Sequence, residues 1–233
     1  MQVPLKLSFY KSAAYRIVTV SICMALYVLY GMSGPSYIIE WKPSNDTSCH
    51  YSNHNDALEA VDNNFSLPLW SIFFIKTSCR NGVNSRQACS IESAARAHPL
   101  WQITVFFLTP VSEYTLNYSC LSTLKQFANV KLVRINIKDF TKGTPLAPMV
   151  AEKRFQNSLF PIENYSNALR YLILYKWGGI YLDTDIIVTK SLAPLGANWV
   201  GREDLYHINS AALGISSDSI GTQFAADVLE YVI

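Results

Sequence analysis

The sequence predicts an α/β domain with a mostly parallel central sheet, because strand-like apolar runs alternate with helix-like segments along the chain. Residues 69–75, 101–108 and 130–135 are short runs rich in β-branched and aromatic side chains. Residues 86–98 and 167–177 instead carry apolar side chains at helical spacing. In open sheets of this kind, ligands bind beyond the carboxyl ends of the strands.

The alternation continues towards the end of the chain. Gly178 and Gly179 end the second of these helices, because glycine readily adopts the backbone conformation that stops a helix. The other expected elements are a helix over 121–128, strands over 180–182, 199–201 and 211–215, and a helix over 222–232.

Composition narrows the class of protein. Half of the residues are hydrophobic and only 15% are charged, which is low for a soluble protein and indicates a membrane segment. The formal net charge is +2 and the chain has no run of Lys and Arg, so nucleic acid is not expected as a partner.

The N-terminal region predicts a membrane anchor. Lys6, Lys11 and Arg16 precede an apolar run over residues 17–32, and the first acidic residue is Glu40. Positive charge ahead of an apolar run places the N-terminus in the cytoplasm. We therefore expect a cytoplasmic tail over 1–16 and an uncleaved signal anchor over 17–32. A cleaved signal peptide is the alternative, because small residues follow the run, and both interpretations place the rest of the chain in the secretory lumen.

Residues 33–66 are predicted to form a lumenal stem, because they are rich in Ser, Asn, Asp and His and show no sustained periodicity. Four sequons for N-glycosylation agree with a lumenal location, at Asn45, Asn64, Asn117 and Asn164. The four cysteines beyond the anchor are Cys49, Cys79, Cys89 and Cys120. They allow three pairings, and each is alternatively a small buried hydrophobic residue.

Two carboxylates follow the predicted strand over 180–182. Asp183 and Asp185 are separated by one residue, so on an extended segment they point the same way. Like charges held together favour a cation beside them, and hard oxygen donors suit Mg²⁺ or Mn²⁺. A metal ion on a diphosphate neutralises charge that develops as the diphosphate leaves. The pair is therefore a candidate for the leaving-group end of a nucleotide-sugar site.

This motif has two other interpretations. A solvated turn is the ordinary one, but the flanking apolar segments place the carboxylates at the mouth of a core strand, where an uncompensated pair is costly. Phosphatases of the haloacid-dehalogenase type also carry Asp-x-Asp after a strand. That motif requires Thr or Val where this chain has Ile187, and it normally ends the first strand of its domain.

Residues 167–188, NALRYLILYKWGGIYLDTDIIV, closely resemble the signature of the DXD-containing α-1,4-glycosyltransferases, a family that includes lactosylceramide 4-α-galactosyltransferase and α-1,4-N-acetylglucosaminyltransferase. Residues 89–99, CSIESAARAHP, are similar to the first helix of that family. The segments TPL at 144–146 and NSAALGI at 209–215 are also similar. The resemblance runs from about residue 69 to the end, so residues 67–233 are expected to form the glycosyltransferase domain.

The resemblance implies a GT-A-like nucleotide-sugar-binding fold, a type II Golgi membrane protein, a UDP-sugar donor, Mn²⁺ or Mg²⁺, and retention of anomeric configuration. By position, Asp183 and Asp185 would bind the metal and act in catalysis. The residues implied to lie near the donor are Asn167, Arg170, Tyr181 and Thr77. Without the resemblance, Arg170 is equally a surface cation on its helix and Tyr181 a core aromatic side chain.

The sequence departs from the family pattern at three points. The family has Asp where this chain has Asn167, and an acid where Lys76 precedes Thr77 and Ser78. The chain also stops at Ile233 within a predicted helix, whereas the family continues, so the expected domain is incomplete at its C-terminus.

The function expected from the resemblance is transfer of galactose, GalNAc or GlcNAc from a UDP-sugar to a glycolipid or glycan acceptor. An α-1,4 linkage and a role in glycosphingolipid biosynthesis are implied by the same similarity. The departures support a second hypothesis, in which the chain is a truncated or non-catalytic homologue that binds nucleotide without turnover.

Overall fold

The computed structural model describes residues 46–52, 54–62 and 64–232. The predicted tail over 1–16, the predicted anchor over 17–32 and the first part of the predicted stem lie outside these residues. Within the ranges that are described, no helix has both the length and the apolar character needed to cross a membrane.

A seven-stranded mixed sheet lies at the centre of the domain. Its strands are β1 (Glu59–Ala60), β2 (Ser71–Lys76), β3 (Gln102–Phe107), β4 (Val130–Arg134), β5 (Gly179–Leu182), β6 (Trp199–Arg202) and β7 (Ile208–Ile215). The spatial order is β1-β4-β3-β2-β5-β7-β6. The first five strands in this order pair in parallel, whereas β7 is antiparallel to both β5 and β6. The predicted α/β class with a mostly parallel sheet is therefore confirmed.

Helices connect these strands. They are α1 (Ser85–Ala97), α2 (Glu113–Tyr118), α3 (Cys120–Leu124), α4 (Ile137–Thr141), α5 (Ala147–Ala151), α6 (Pro161–Trp177) and α7 (Ser219–Val232). Two short 3₁₀ helices cover Ser48–Tyr51 and Ala193–Leu195.

Strand β2 shows how the core is divided between the two faces of the sheet. All six of its residues are buried, as expected for a strand covered on both sides. Phe73 and Ile75 pack with residues of α4, α5, α6 and α7, whereas Ile72 and Phe74 pack with residues of α1, α2 and α3. The alternation follows from the two-residue period of a strand, so one apolar run serves two cores.

The direction of the connections changes between β2 and β5. From β2 the chain passes through α1 to β3, and from β3 through α2 and α3 to β4. It then returns through α4, α5 and α6 on the other face to β5, which pairs with β2. A reversal of strand order opens a crevice at the carboxyl ends of the two strands involved, and such crevices bind ligands.

Several predicted elements agree with the structure and others differ. The helix predicted over 86–98 corresponds to α1, which begins with a capping box between Asn84 and Gln87. The helix predicted to begin at Asn167 is six residues longer, because α6 starts with Pro161 in its first turn. The prediction of a helix start at Asn167 is therefore wrong, and this residue lies in the second turn.

Gly178 and Gly179 end α6 as predicted, both with positive φ, 64° and 102°. A Cβ atom on Gly179 would lie 2.8 Å from the Phe73 ring and 2.9 Å from the Ser71 carbonyl oxygen. The second glycine is therefore required by close packing of the α6–β5 connection on β2, as well as by its backbone conformation.

Part of the predicted stem contributes to this domain. Strand β1 pairs with β4, and the described residues from 46 onwards form one compact unit. A disulfide joins Cys49 to Cys79, which fixes the first 3₁₀ helix beside the loop that follows β2. Cys89 and Cys120 are free. The sequence left three pairings open, and only the closeness of Cys49 to Cys79 in the fold identifies the bonded pair.

Candidate functional site

A cavity of about 400 Å³ opens where the carboxyl ends of β2 and β5 meet. It therefore occupies the position at which the sheet topology predicts a ligand. Its walls come from the end of β2 and the following loop, the start of α1, the first turns of α6 and the turn after β5. The lining residues are Ile75, Lys76, Thr77, Ser78, Asn84, Arg86, Gln87, Ile162, Ser166, Asp183, Thr184 and Asp185.

Asp183 and Asp185 both line this cavity, but they are not on an extended segment. The chain turns directly after β5, and the Ile186 N–H donates to the Asp183 carbonyl at 3.0 Å. The prediction that the two side chains align by strand alternation is therefore wrong in its geometry. A tight turn brings both carboxylates to one cavity, with Asp183 partly buried and Asp185 exposed.

Asp183 is held in place by two neighbours. The Tyr181 hydroxyl donates to Asp183 Oδ1 at 2.5 Å, and Arg170 Nη2 lies 3.3 Å from the same oxygen. Burial raises the pKa of the Asp183 carboxyl above its ordinary value, and the Arg170 charge and the Tyr181 hydrogen bond oppose this shift. The nearby Asp185 adds to the increase. The carboxyl group thus lies where a further positive charge would be stabilising.

Arg170 is a buried residue of α6 with 5% exposure, so the interpretation as a surface cation is wrong. Its Nη1 donates to Ser210 through both the carbonyl, at 2.7 Å, and the hydroxyl, at 2.8 Å. Its guanidinium carbon lies 4.9 Å from the centre of the Tyr181 ring. Arg170 therefore links α6, β5 and β7 behind the Asp183 carboxylate.

The other candidate residues take different positions. Tyr181 is 1% exposed and packs in the core, so it has both the core position and the contact with Asp183. Asn167 is exposed, and its Oδ1 accepts a hydrogen bond from Arg170 Nη2 at 2.9 Å. Thr77 lines the cavity and is buried, and its carbonyl oxygen lies 2.6 Å from His50 Nε2. Thus Thr77 is on the cavity wall, whereas Tyr181 contacts the lining residue Asp183 from the core, and Asn167 contacts Arg170.

Sequence reasoning did not identify the wall formed by the start of α1. Asn84, Arg86 and Gln87 line the cavity, and Gln87 Nε2 donates to the Thr184 hydroxyl at 3.1 Å. This bond connects α1 to the turn that carries the two carboxylates. The spacing of apolar residues over 86–98 predicted a helix, but no sequence pattern placed that helix beside β5.

The residues present fit a divalent cation. Both contacts to Asp183 use Oδ1, and among the described residues no hydrogen bond or ion pair engages Oδ2 or the Asp185 carboxylate. Two carboxylate oxygens and a cavity with room for other ligands suit Mg²⁺ or Mn²⁺, which commonly take further oxygen ligands from phosphate and water.

A second group of possible metal ligands lies close to the cavity. Cys49, His50 and Cys79 place their ligand atoms within 4.8 Å of one another. The two cysteine sulfurs are joined in a disulfide, so neither is available as a thiolate ligand. This group therefore has a structural role in the form described here.

Comparison with known proteins agrees with the site. The family described as "Glycosyltransferase sugar-binding region containing DXD motif" matches residues 84–204, which include α1, β5 and the turn with both carboxylates. Lactosylceramide 4-alpha-galactosyltransferase of Mus musculus is 38% identical over 148 residues, covering 61% of this chain and 40% of that protein. Alpha-1,4-N-acetylglucosaminyltransferase of Homo sapiens is 33% identical over 121 residues, covering 50% and 35% respectively. The matched region thus spans less than half the length of these relatives.

Solved structures give weaker similarities. The PaToxG glycosyltransferase is 20% identical with a TM-score of 0.44, covering 78% of this chain and 65% of that one. The galactosyltransferase LgtC, solved with donor and acceptor sugar analogues, is 19% identical with a TM-score of 0.35, covering 70% and 66%.

Proposed function

Because the chain belongs to the family of glycosyltransferases whose sugar-binding region contains a DXD motif, we propose that it transfers a hexose from a UDP-sugar to a glycolipid or glycan acceptor. The observation that carries the proposal is that Asp183 and Asp185 line one cavity at the reversal of strand order between β2 and β5. A nucleotide-sugar is the ligand class that the family, the topology and the carboxylate pair have in common.

The proposed metal ion, Mn²⁺ or Mg²⁺, would be held by Asp183 and Asp185. When bound, it would stabilise the negative charge that develops on the departing UDP. Arg170 and Tyr181 fix the orientation of the Asp183 carboxylate through Oδ1. This arrangement leaves the other oxygen for the ligand and limits the reorganisation needed on binding.

The finer description rests on the names of the relatives. We propose galactose as the donor sugar, with GalNAc and GlcNAc as alternatives, and an α-1,4 linkage formed with retention of configuration on a GT-A-like fold. A glycosphingolipid is the proposed acceptor class, because the similar proteins include lactosylceramide 4-alpha-galactosyltransferases.

We further propose a type II Golgi membrane protein with its domain in the lumen. The anchor over 17–32 and the stem that follows it rest on the charge and hydropathy pattern of the sequence. The pairing of β1 with β4 moves the start of the domain from residue 67 into the predicted stem over 33–66. The disulfide between Cys49 and Cys79 supports an oxidising compartment for this part of the chain.

The test is binding of UDP, measured by calorimetry with and without Mn²⁺. Asp183→Ala and Asp185→Ala should each weaken Mn²⁺-dependent binding at least about ten-fold, since even a group that only supports a metal ligand contributes ten- to hundred-fold. Asp139→Ala, on α4 away from the cavity, is the matched control. Unchanged UDP affinity in both site variants would show that the carboxylate pair is structural. Hydrolysis of UDP-galactose, UDP-GalNAc and UDP-GlcNAc with Mn²⁺ then identifies the donor.

One observation favours the alternative, a homologue that binds nucleotide without turnover. Arg170 already forms an ion pair with Asp183, and Asn167 stands where the family has Asp, so Arg170 has a single carboxylate to neutralise. A chain that binds UDP with Mn²⁺ but hydrolyses none of the three donors, with or without acceptor, would support this alternative over the enzyme.

A further inference from the structure

Lys76 is a buried cation on the wall of the cavity that the two carboxylates also line. It is the last residue of β2, is 5% exposed and lines the cavity with Asp183 and Asp185. Its Nζ contacts the hydroxyl of Ser78, another residue of the cavity wall. In the part of the chain that the structure describes, no carboxylate lies close enough to form an ion pair with it.

A buried charge without a partner of opposite sign is unusual, because removal of an ammonium group from water is costly. Burial lowers the pKa of Lys76 to about 8, and Arg80 contributes to the decrease. The side chain nevertheless remains mostly protonated at neutral pH. The structure thus maintains a positive charge at the end of a central strand without balancing it internally.

The charges around the cavity indicate what balances it. Lys76 and Arg86 contribute two positive charges to the lining, Asp183 and Asp185 contribute two negative ones, and Arg170 behind the lining already pairs with Asp183. A divalent cation bound to the carboxylates would leave positive charge in excess around the cavity. The diphosphate of a UDP-sugar carries one negative charge on each phosphate, which would offset this excess.

We propose that Lys76 binds the diphosphate of the donor directly, as a fixed cation in the cavity that the metal-binding carboxylates also line. The proposal rests on the proposed function, because it requires a nucleotide diphosphate in this cavity. Phosphate oxygens would accept a charge-assisted hydrogen bond from Nζ, and Ser78 keeps the ammonium group at the wall when the ligand is absent. Lys76 thus adds a specificity for phosphate to a site whose carboxylates act only through a metal.

The experiment compares UDP with uridine, which lacks the phosphates, in calorimetric titrations of the full chain with Mn²⁺. Lys76→Met should reduce UDP affinity about ten- to hundred-fold, as expected for loss of one charge-assisted hydrogen bond, and leave uridine affinity unchanged. Lys76→Arg should retain part of the UDP affinity because it keeps the charge. Lys125→Met removes an exposed lysine outside the cavity and controls for net charge.

The outcomes separate this inference from the proposed function. If the wild-type chain binds UDP and Lys76→Met binds it equally well, the role of Lys76 is wrong and the proposed function stands. An equal loss of UDP and uridine affinity would also overturn it, since the residue would then shape the cavity and not contact phosphate. Absence of UDP binding by the wild-type chain would overturn both proposals. A thermal unfolding curve for each variant shows that the binding measurements compare folded proteins.

Discussion

Two buried cations end the parallel strands on either side of β3, Lys76 on β2 and Arg134 on β4, and they differ in the partners that surround them. Arg134 Nε lies 3.0 Å from Asp56 Oδ2, and its other nitrogens donate to backbone carbonyls. Those carbonyls belong to Cys49, Ser52, Phe107 and Ile135. Lys76 contacts one hydroxyl.

The difference separates a structural charge from a binding charge. Arg134 ties Cys49, Ser52 and Asp56 to the sheet, and its guanidinium group has the several donors that these contacts require. Lys76 has a single ammonium group facing a cavity, where a ligand can supply the missing negative charge. A buried cation with a carboxylate and several carbonyl partners therefore indicates a role in folding, and one that lines a cavity without a carboxylate partner indicates a role in binding.

Arg134→Met is expected to give the largest effect on stability. It leaves the Asp56 carboxylate without its partner and removes the donors to several backbone carbonyls, so we expect a loss of about 3–5 kcal/mol in the free energy of unfolding. Urea unfolding followed by circular dichroism measures it. UDP affinity per folded molecule should be unchanged, because Arg134 does not line the donor cavity. A loss below about 1 kcal/mol is typical of a surface ion pair and would contradict the structural role assigned to Arg134.

The same substitution at Lys76 should act in the opposite direction and depend on pH. Below a pH of about 8, Lys76 is protonated in the folded and unfolded chains, so its burial costs stability. Between about 8 and the ordinary lysine pKa of 10.5, the folded chain has released this proton while the unfolded chain keeps it. The unfolded state then binds more protons, and the contribution of Lys76 to stability rises with pH.

Lys76→Met removes this titration. At about pH 7 the variant should therefore be more stable than the wild type by up to about 3 kcal/mol, and this advantage should fall towards zero by about pH 10.5. Urea unfolding of both proteins across this range measures the difference, in which the ionisation of other groups cancels. A difference that does not vary with pH would contradict the buried, unpaired charge assigned to Lys76.

The sequence was sufficient for features that are local and not for those that depend on strand order. The runs of β2, β3 and β5 were predicted because buried parallel strands are continuously apolar, and Gly178 and Gly179 marked the end of α6. The two residues of β1 were not predicted, since they are exposed and lie in a polar stretch.

The same distinction between local and non-local features applies to the candidate site. The motif with Asp183 and Asp185 is a contiguous pattern, so the sequence alone predicts it as a candidate site. That β5 pairs with β2 is a non-local fact, and it alone brings Lys76 and the start of α1 to the same cavity as the carboxylates. Likewise, the buried position of Arg170 follows from the approach of β7 to α6, which the helical spacing of residues 167–177 does not encode.

Arg170 shares one feature with each of the two cations, because it has a carboxylate partner, as Arg134 does, and that partner lines the cavity, as Lys76 does. A change beside Arg170 gives the prediction with the smallest effect. Its Nη2 lies 3.3 Å from Asp183 Oδ1 and 2.9 Å from Asn167 Oδ1, so position 167 competes with Asp183 for the same nitrogen. Asn167→Asp would give Arg170 a second carboxylate and weaken its hold on Asp183, leaving that carboxylate freer for a cation. Because Asn167 is exposed, the gain should be modest, about two- to five-fold in Mn²⁺ affinity in the presence of UDP. Calorimetric Mn²⁺ titration measures this gain.

Asn167→Ala removes the hydrogen bond without adding a charge, so it should strengthen the Arg170–Asp183 pair and not raise Mn²⁺ affinity. If the Asp and Ala variants change the affinity equally, position 167 affects only the packing of α6, and Arg170 is a structural cation like Arg134.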